Sequence, residues 1–280
     1  MAAPVARPGL RRDPALSGHR PRRRFGQHFL HDPGVIHRLV AAIDPRPGER
    51  LVEIGPGLGA LTVPLLEAAG ALEVIELDRD LAARLPQELA GHGSLRVHQA
   101  DALAFDFAAL AGSGRLRVTG NLPYNISTPL LFHLLAQAEH IIDMHFMLQK
   151  EVVSRLTAAP GTADYGRLTV MTRLRARAER LFDVGPGAFR PPPRVDSAVV
   201  RLQPHARPPV ALHDPAGFAE LVAQAFAQRR KTLRNSLRGY LSAAAIAAAG
   251  VDPAARPETL DLAAFAALSN LRQSSDSRER

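Results

Sequence analysis

The sequence predicts an α/β fold, a mostly parallel sheet wrapped by helices, followed by a small all-α domain. Three observations carry this. Short strand-like runs rich in Leu, Val and Ile recur at Leu51–Ile54, Leu72–Ile75, Leu95–His98, Leu116–Val118 and Met144–Leu148, with helix-period stretches between them. The first run enters Gly55-Pro56-Gly57-Leu58-Gly59, a glycine turn of the kind that joins a strand to a helix. Beyond a linker at Pro204–Pro209 the pattern turns wholly helical.

Composition narrows the class. The 280 residues suffice for one large domain and a small one, and 46% hydrophobic residues mark a globular chain. No apolar run reaches the roughly 18 residues of a membrane span. The chain has no cysteine, which excludes disulfides and thiolate chemistry and fits a cytoplasmic protein. Net charge is +8 and the pI about 10.9, which suggests a polyanionic partner. Lys150 and Lys231 are the only lysines, so clustering of arginine is better evidence than its total.

Taken in order, residues 1–21 read as a disordered basic arm. Residues 1–24 carry seven arginines, one acid and four prolines, and no signal-peptide core. Arg22, Arg23 and Arg24 are the best candidates there for RNA contact. Residues 22–205 form the expected α/β domain. A helical pattern (Val35, Ile36, Leu39, Val40, Ile43) follows Arg24–Leu30 and ends at Pro45 and Gly48. The second strand ends in Glu76, about 20 residues past the first glycine, where an acid can accept from a ribose diol. The third is followed by Asp101, which can accept from an adenine amino group or cap a turn.

The fourth strand delivers Asn121-Leu122-Pro123-Tyr124, with Thr128 a candidate cap and Pro129 the first helical residue. Open α/β sheets bind ligands at this edge. The tetrapeptide has the form of the [Asn/Asp/Ser]-Pro-Pro-[Tyr/Phe] signature of enzymes that methylate exocyclic amines. The chemistry fits the residue types. An adenine N6 lone pair is delocalised into the ring, so acceptors aimed at its hydrogens favour a pyramidal, nucleophilic nitrogen. The Asn121 side chain and the Leu122 carbonyl supply acceptors. Pro123 stiffens that carbonyl and adds no competing N–H. Tyr124 can stack on the base and align it. The donor that fits is S-adenosylmethionine, and no metal is needed.

Residues 206–272 form the expected helical RNA- and subunit-binding domain, and 273–280 a polar tail. Val222, Phe226, Leu233 and Leu237 mark an apolar stripe. Arg230, Arg234 and Arg238, spaced by four, predict one basic helix face. With Arg229 and Lys231 the stretch has five positive charges and no acid.

Together the motifs resemble the ribosomal RNA adenine dimethyltransferase family from about Arg24 to Leu271. They are Arg24–Leu30, Val52–Gly57, Val74–Asp78, Gly120–Asn125, Gln149–Val152 and Gln228–Asn235. The closest likeness is to the branch that dimethylates two adjacent adenosines in a 3′-terminal 16S rRNA hairpin loop. The resemblance implies a Rossmann-like class I S-adenosylmethionine methyltransferase domain, acting as a monomer on the small ribosomal subunit. It implies donor contacts at His28, Leu30, Gly55, Gly57, Glu76, Asp101 and Asn121, base stacking by Tyr124, and Phe189 as a second face. Many members carry asparagine at position 28.

Three other readings remain open. A dinucleotide-dependent oxidoreductase explains the glycines and Glu76 but not Asn121–Tyr124. A non-catalytic RNA-binding assembly factor explains the basic stretch alone. An antibiotic-resistance methyltransferase of the large subunit shares most motifs; Gln228–Asn235 and the Phe189–Pro193 loop favour the small-subunit branch by resemblance.

Overall fold

The computed structural model describes residues 27–228 and 230–276, with no side-chain description beyond 271. In chain order the elements are β1 (Phe29–Leu30), α1 (Pro33–Ile43), β2 (Leu51–Ile54), α2 (Thr62–Ala69), β3 (Ala71–Glu76), α3 (Arg79–Glu88), β4 (Ser94–Gln99), α4 (Phe107–Ala111) and β5 (Leu116–Asn121). Then follow α5 (Ser127–Ala136), β6 (Ile141–Gln149), α6 (Lys150–Thr157), α7 (Arg167–Arg175), β7 (Ala176–Val184), β8 (Phe189–Arg190) and β9 (Ser197–Pro204). The chain ends in α8 (Pro215–Ala225), α9 (Leu233–Ser236), α10 (Ala243–Ala248) and α11 (Leu262–Asp276).

The main sheet has strand order β4-β3-β2-β5-β6-β9-β7. The first five strands are parallel; β9 and β7 each run antiparallel to their neighbours. Successive strands run outward from β2 to β4 on one side and resume at β5 on the other. That reversal opens a crevice at the strand C-termini. All four residues of β2 are buried, as expected for a central strand covered on both faces. Val52 and Ile54 pack with Val118, Leu130 and Phe146 in one cluster, whereas Leu51 packs with Leu39, Leu65 and Val74 in another. A separate two-stranded ribbon pairs Phe29 with Arg190 and Leu30 with Phe189. It brings the start of the described chain to the strand ends of the main sheet.

A third cluster joins Phe218, Leu221, Leu233, Leu237 and Phe265 to Tyr165, Val170 and Leu174. The C-terminal helices therefore share a core with the α6–α7 region. No helix among the described residues is long and apolar enough to cross a membrane.

Several local expectations are corrected. The basic stretch is not one helix face. α8 stops at Ala225, Arg230 lies in a turn, and only Arg234 of the three arginines is inside α9. Tertiary bonds explain the break: the amides of Leu233 and Arg234 donate to the carbonyls of Ala255 (2.8 Å) and Pro253 (3.0 Å). These amides thus start a new helix instead of continuing α8. Thr128 is not a cap. α5 already begins at Ser127, whose hydroxyl donates to the Tyr124 carbonyl. The strand expected from Val195 begins at Ser197, and α11 runs to Asp276, past the expected start of a tail at Gln273.

Candidate active site

The glycine loop is built from backbone geometry that side chains resist. Gly55, Gly57 and Gly59 have φ of 68°, 57° and 80°. A Cβ at Gly57 would stand 3.1 Å from the Phe29 ring, and one at Gly55 would meet no atom within 4 Å. The open space beside Gly55 belongs to a cavity of about 340 Å³ at the C-terminal ends of β2, β3, β4 and β5. Small-molecule sites span roughly 300–1,000 Å³.

Four loops and the β1 segment converge on it. His28, Gly55, Gly57, Glu76, Asp101 and the whole of Asn121–Tyr124 line it, as the sequence reading groups them. Glu76 is buried, and its carboxylate accepts from the amides of Asp78 (2.8 Å) and Gly57 (3.3 Å). It thereby ties the end of β3 to the glycine loop. Burial pushes its pKa up, against those two amides. Asp101 closes a turn, its Oδ1 accepting from the Leu103 amide at 2.9 Å, and the residue also lines the cavity. Ile75, Leu77, Ala100 and Ala102 supply apolar wall between the two acids. Two acids, an apolar slot and an open glycine loop suit a nucleoside with a charged tail. The residues present therefore fit S-adenosylmethionine.

Asn121 ends β5. Its Nδ2 donates to the His28 carbonyl at 2.9 Å. A carbonyl can only accept, so this bond fixes which end of the amide is nitrogen and leaves Oδ1 as the free acceptor. The Leu122 carbonyl accepts no hydrogen bond among the described residues, while the Leu122 amide donates to Met147 O at 3.2 Å. Tyr124 is half-buried, and its hydroxyl is 2.7 Å from Ser197 Oγ on β9. Burial raises the phenol's pKa, opposed by the Ser197 bond. Its ring stacks on His28 with centroids 5.6 Å apart at 29°.

Two expected contacts are not brought to the cavity. Leu30 is 6% exposed, one residue along β1, and packs into the core with Leu39 and Leu65. Phe189 is 2% exposed and packs in the same core, paired across the ribbon with Leu30. The pairing turns its side chain inward, so in this structure it offers no second face to a base. Of the RNA-contact candidates, Arg230, Lys231, Arg234 and Arg238 are exposed. Arg234 and Arg238 share an open recess with Tyr240 and Ser242. Arg22, Arg23, Arg24 and Arg229 lie outside the described residues. Gln27, Phe29 and Leu77 also line the cavity; they lie inside the motifs Arg24–Leu30 and Val74–Asp78, but the sequence reading gave them no site role. Ser197 could have been suspected only as a polar residue opening a buried strand.

Comparison with known proteins decides the family. The model of the family described as ribosomal RNA adenine dimethylase matches residues 18–273. This chain belongs to that family. It is 60% identical over 255 residues to "Ribosomal RNA small subunit methyltransferase A" of Laribacter hongkongensis, covering 91% of this chain and 97% of the relative. The same-named protein of Pseudomonas aeruginosa is also 60% identical, over 91% of this chain and 96% of its own length. Among solved structures, a dimethyladenosine transferase from Plasmodium falciparum is similar, with a TM-score of 0.75 and 25% identity over 86% of this chain and 96% of that one. The 23S rRNA methyltransferase ErmE gives 0.68 and 28%, over 88% and 99%. The chain is accordingly an S-adenosylmethionine-dependent adenine methyltransferase of ribosomal RNA with a class I α/β fold. The oxidoreductase and the non-catalytic assembly-factor readings fall away.

Proposed function

We propose that this chain dimethylates N6 of two adjacent adenosines in the 3′-terminal hairpin loop of 16S rRNA, acting as a cytoplasmic monomer on the small subunit during its assembly. The observation that carries the chemistry is the locked Asn121 amide, with a free acceptor oxygen in the same cavity as Tyr124. Small-subunit choice is supported by 60% identity to relatives named for that subunit, against 28% to a 23S enzyme.

In this reading Glu76 holds the donor's ribose, Asp101 its adenine, and Gly55 and Gly57 let it approach the backbone; the backbone at His28 completes the donor contacts, and Leu30, packed in the core, anchors that segment. The bound donor supplies a methyl already activated by a sulfonium. The protein's part is placement. Asn121 Oδ1 and the Leu122 carbonyl accept from the two N6 hydrogens and strengthen as charge develops on the amine. Tyr124 holds the base in line. The base must be unpaired, which costs least in a loop. Arg230, Lys231, Arg234 and Arg238, joined by Arg22, Arg23 and Arg229, neutralise backbone phosphates.

The test is methyl transfer from isotope-labelled S-adenosylmethionine to unmethylated small and large subunits in parallel, followed by nucleoside digestion. Labelled N6,N6-dimethyladenosine from the small subunit alone is the expected result. Label only in the large subunit would overturn the assignment.

A further inference from the structure

The His28 ring sits where a target base would stack. Tyr124 presents a half-buried face to the cavity, and His28 covers it at 5.6 Å. A base held between two aromatic faces needs roughly 7 Å between them, twice the ~3.5 Å of carbon contact. The present gap is too narrow to admit one, so one ring must yield.

The anchors of the two rings are unequal. Tyr124 is tethered through its hydroxyl to Ser197, which is fully buried and flanked by β6 and β7. Among the described residues the His28 ring is held by one exposed hydrogen bond, Nδ1 to Pro191 O at 2.8 Å. The bond from Asn121 reaches the His28 backbone, not its ring, so the ring can leave without disturbing Asn121.

We propose that His28 is a substrate-side residue, a displaceable cover on the Tyr124 face that the incoming adenine takes. This rests on the function proposed above. It assigns the side chain at position 28 to the acceptor half of the cavity and leaves any donor contact to the backbone.

The experiment measures the KM for unmethylated small subunits and the donor Kd by calorimetry, in the unsubstituted protein, His28→Ala and His28→Asn. Asparagine removes the ring but keeps a donor for Pro191 O, so it serves if alanine destabilises the segment. Removing the cover should lower the subunit KM by roughly three- to tenfold, the worth of one aromatic stack, with the donor Kd moving less than twofold. A hairpin carrying 2-aminopurine at the target adenosine should be quenched more strongly by both variants at equal concentration. An unchanged or raised subunit KM, or a donor Kd that moves more than the subunit KM, would overturn the inference while transfer itself still upholds the function. No transfer by the unsubstituted protein to either subunit would overturn both.

Discussion

The Tyr124–Ser197 bond makes the base platform testable by itself. Ser197 Oγ is fully buried and 2.7 Å from the phenol, whereas Tyr124 is half-buried. The two single substitutions therefore cost stability unequally. Tyr124→Phe strands a buried hydroxyl that water cannot reach, at about 1–3 kcal/mol. Ser197→Ala deletes that hydroxyl and leaves a phenol with solvent access, so only the net bond is lost, about 0.5–1.5 kcal/mol. The double variant has nothing left to strand, so its cost should fall below the sum by about 1 kcal/mol. The rate effects should be alike. Either single change frees the ring to turn, and a loss of about five- to tenfold in single-turnover methyl transfer corresponds to roughly 1–1.4 kcal/mol of alignment. The double variant should be no slower than the slower single. Urea unfolding reads the stability cycle, and single-turnover transfer to small subunits reads the rate cycle. Strict additivity in both would refute the tether.

Four further outcomes follow from the same geometry. Asn121→Ala should reduce kcat by about 10²–10³-fold, the worth of one preorganised electrostatic group, while subunit pull-down persists; retained turnover would remove Asn121 from the chemistry. Gly120→Ala would drive a Cβ into the backbone oxygen of Ile54, well inside van der Waals contact, and should cost about 1–3 kcal/mol in urea unfolding. Arg234→Ala with Arg238→Ala should lower the slope of log affinity against log salt by about 2, one per phosphate lost; an unchanged slope would take the recess off the RNA path. Two buried groups set opposing pH limbs. Burial, opposed by Asp143 and reinforced by Arg117 and Arg201, holds His145 down to about 4, so its stability is present above pH 6.5 and lost as pH falls toward 4. Burial, opposed by Thr62 and reinforced by Glu76, pushes Glu53 up to about 8, so its stability is present below pH 4.5 and lost as pH rises to 8. The two slopes oppose each other between pH 4.5 and 6.5, and Glu53→Gln should flatten the decline from pH 6.5 to 8 in urea midpoints.

The site was legible where chemistry requires a residue type at a fixed topological place. Glycines at positive φ, an acid closing β3 and the Asn121–Tyr124 turn each have few physical alternatives, so their grouping in one cavity could be read from the strands. Phe189 could not be placed the same way. Its fate depends on pairing with Leu30, more than 150 positions earlier, and period-two alternation in a two-residue strand carries no signal. The basic stretch failed for a related reason. Spacing by four predicts a shared face only if one helix runs through it, and the bonds from Leu233 and Arg234 to Ala255 and Pro253 are invisible in a local pattern. Ser197 was missed because nothing local distinguishes a serine that bonds the Tyr124 hydroxyl from one that merely begins a strand.

β5 links two kinds of charged site. Near its start, Arg117 bonds Asp143 through two nitrogens (2.9 and 3.0 Å), Glu49 at 2.7 Å, and the carbonyls of Ile43 and Asp44 at 2.6 and 3.2 Å. These partners join the C-terminal end of α1, the loop after it and β6. A buried guanidinium is costly unless so satisfied, and here all three of its nitrogens find protein acceptors. Four residues on, roughly 13 Å at strand rise, the same strand ends in Asn121, whose acceptor is left free. Between them Gly120 lets β5 close against Ile54 O. The far edge uses its charge internally and fixes strand register. The cavity edge gathers Glu76, Asp101 and Asn121 around one open space. A substitution at Asp143, which holds β5 through Arg117, should therefore act through stability, whereas one at Asn121, at the end of β5, should act through the reaction.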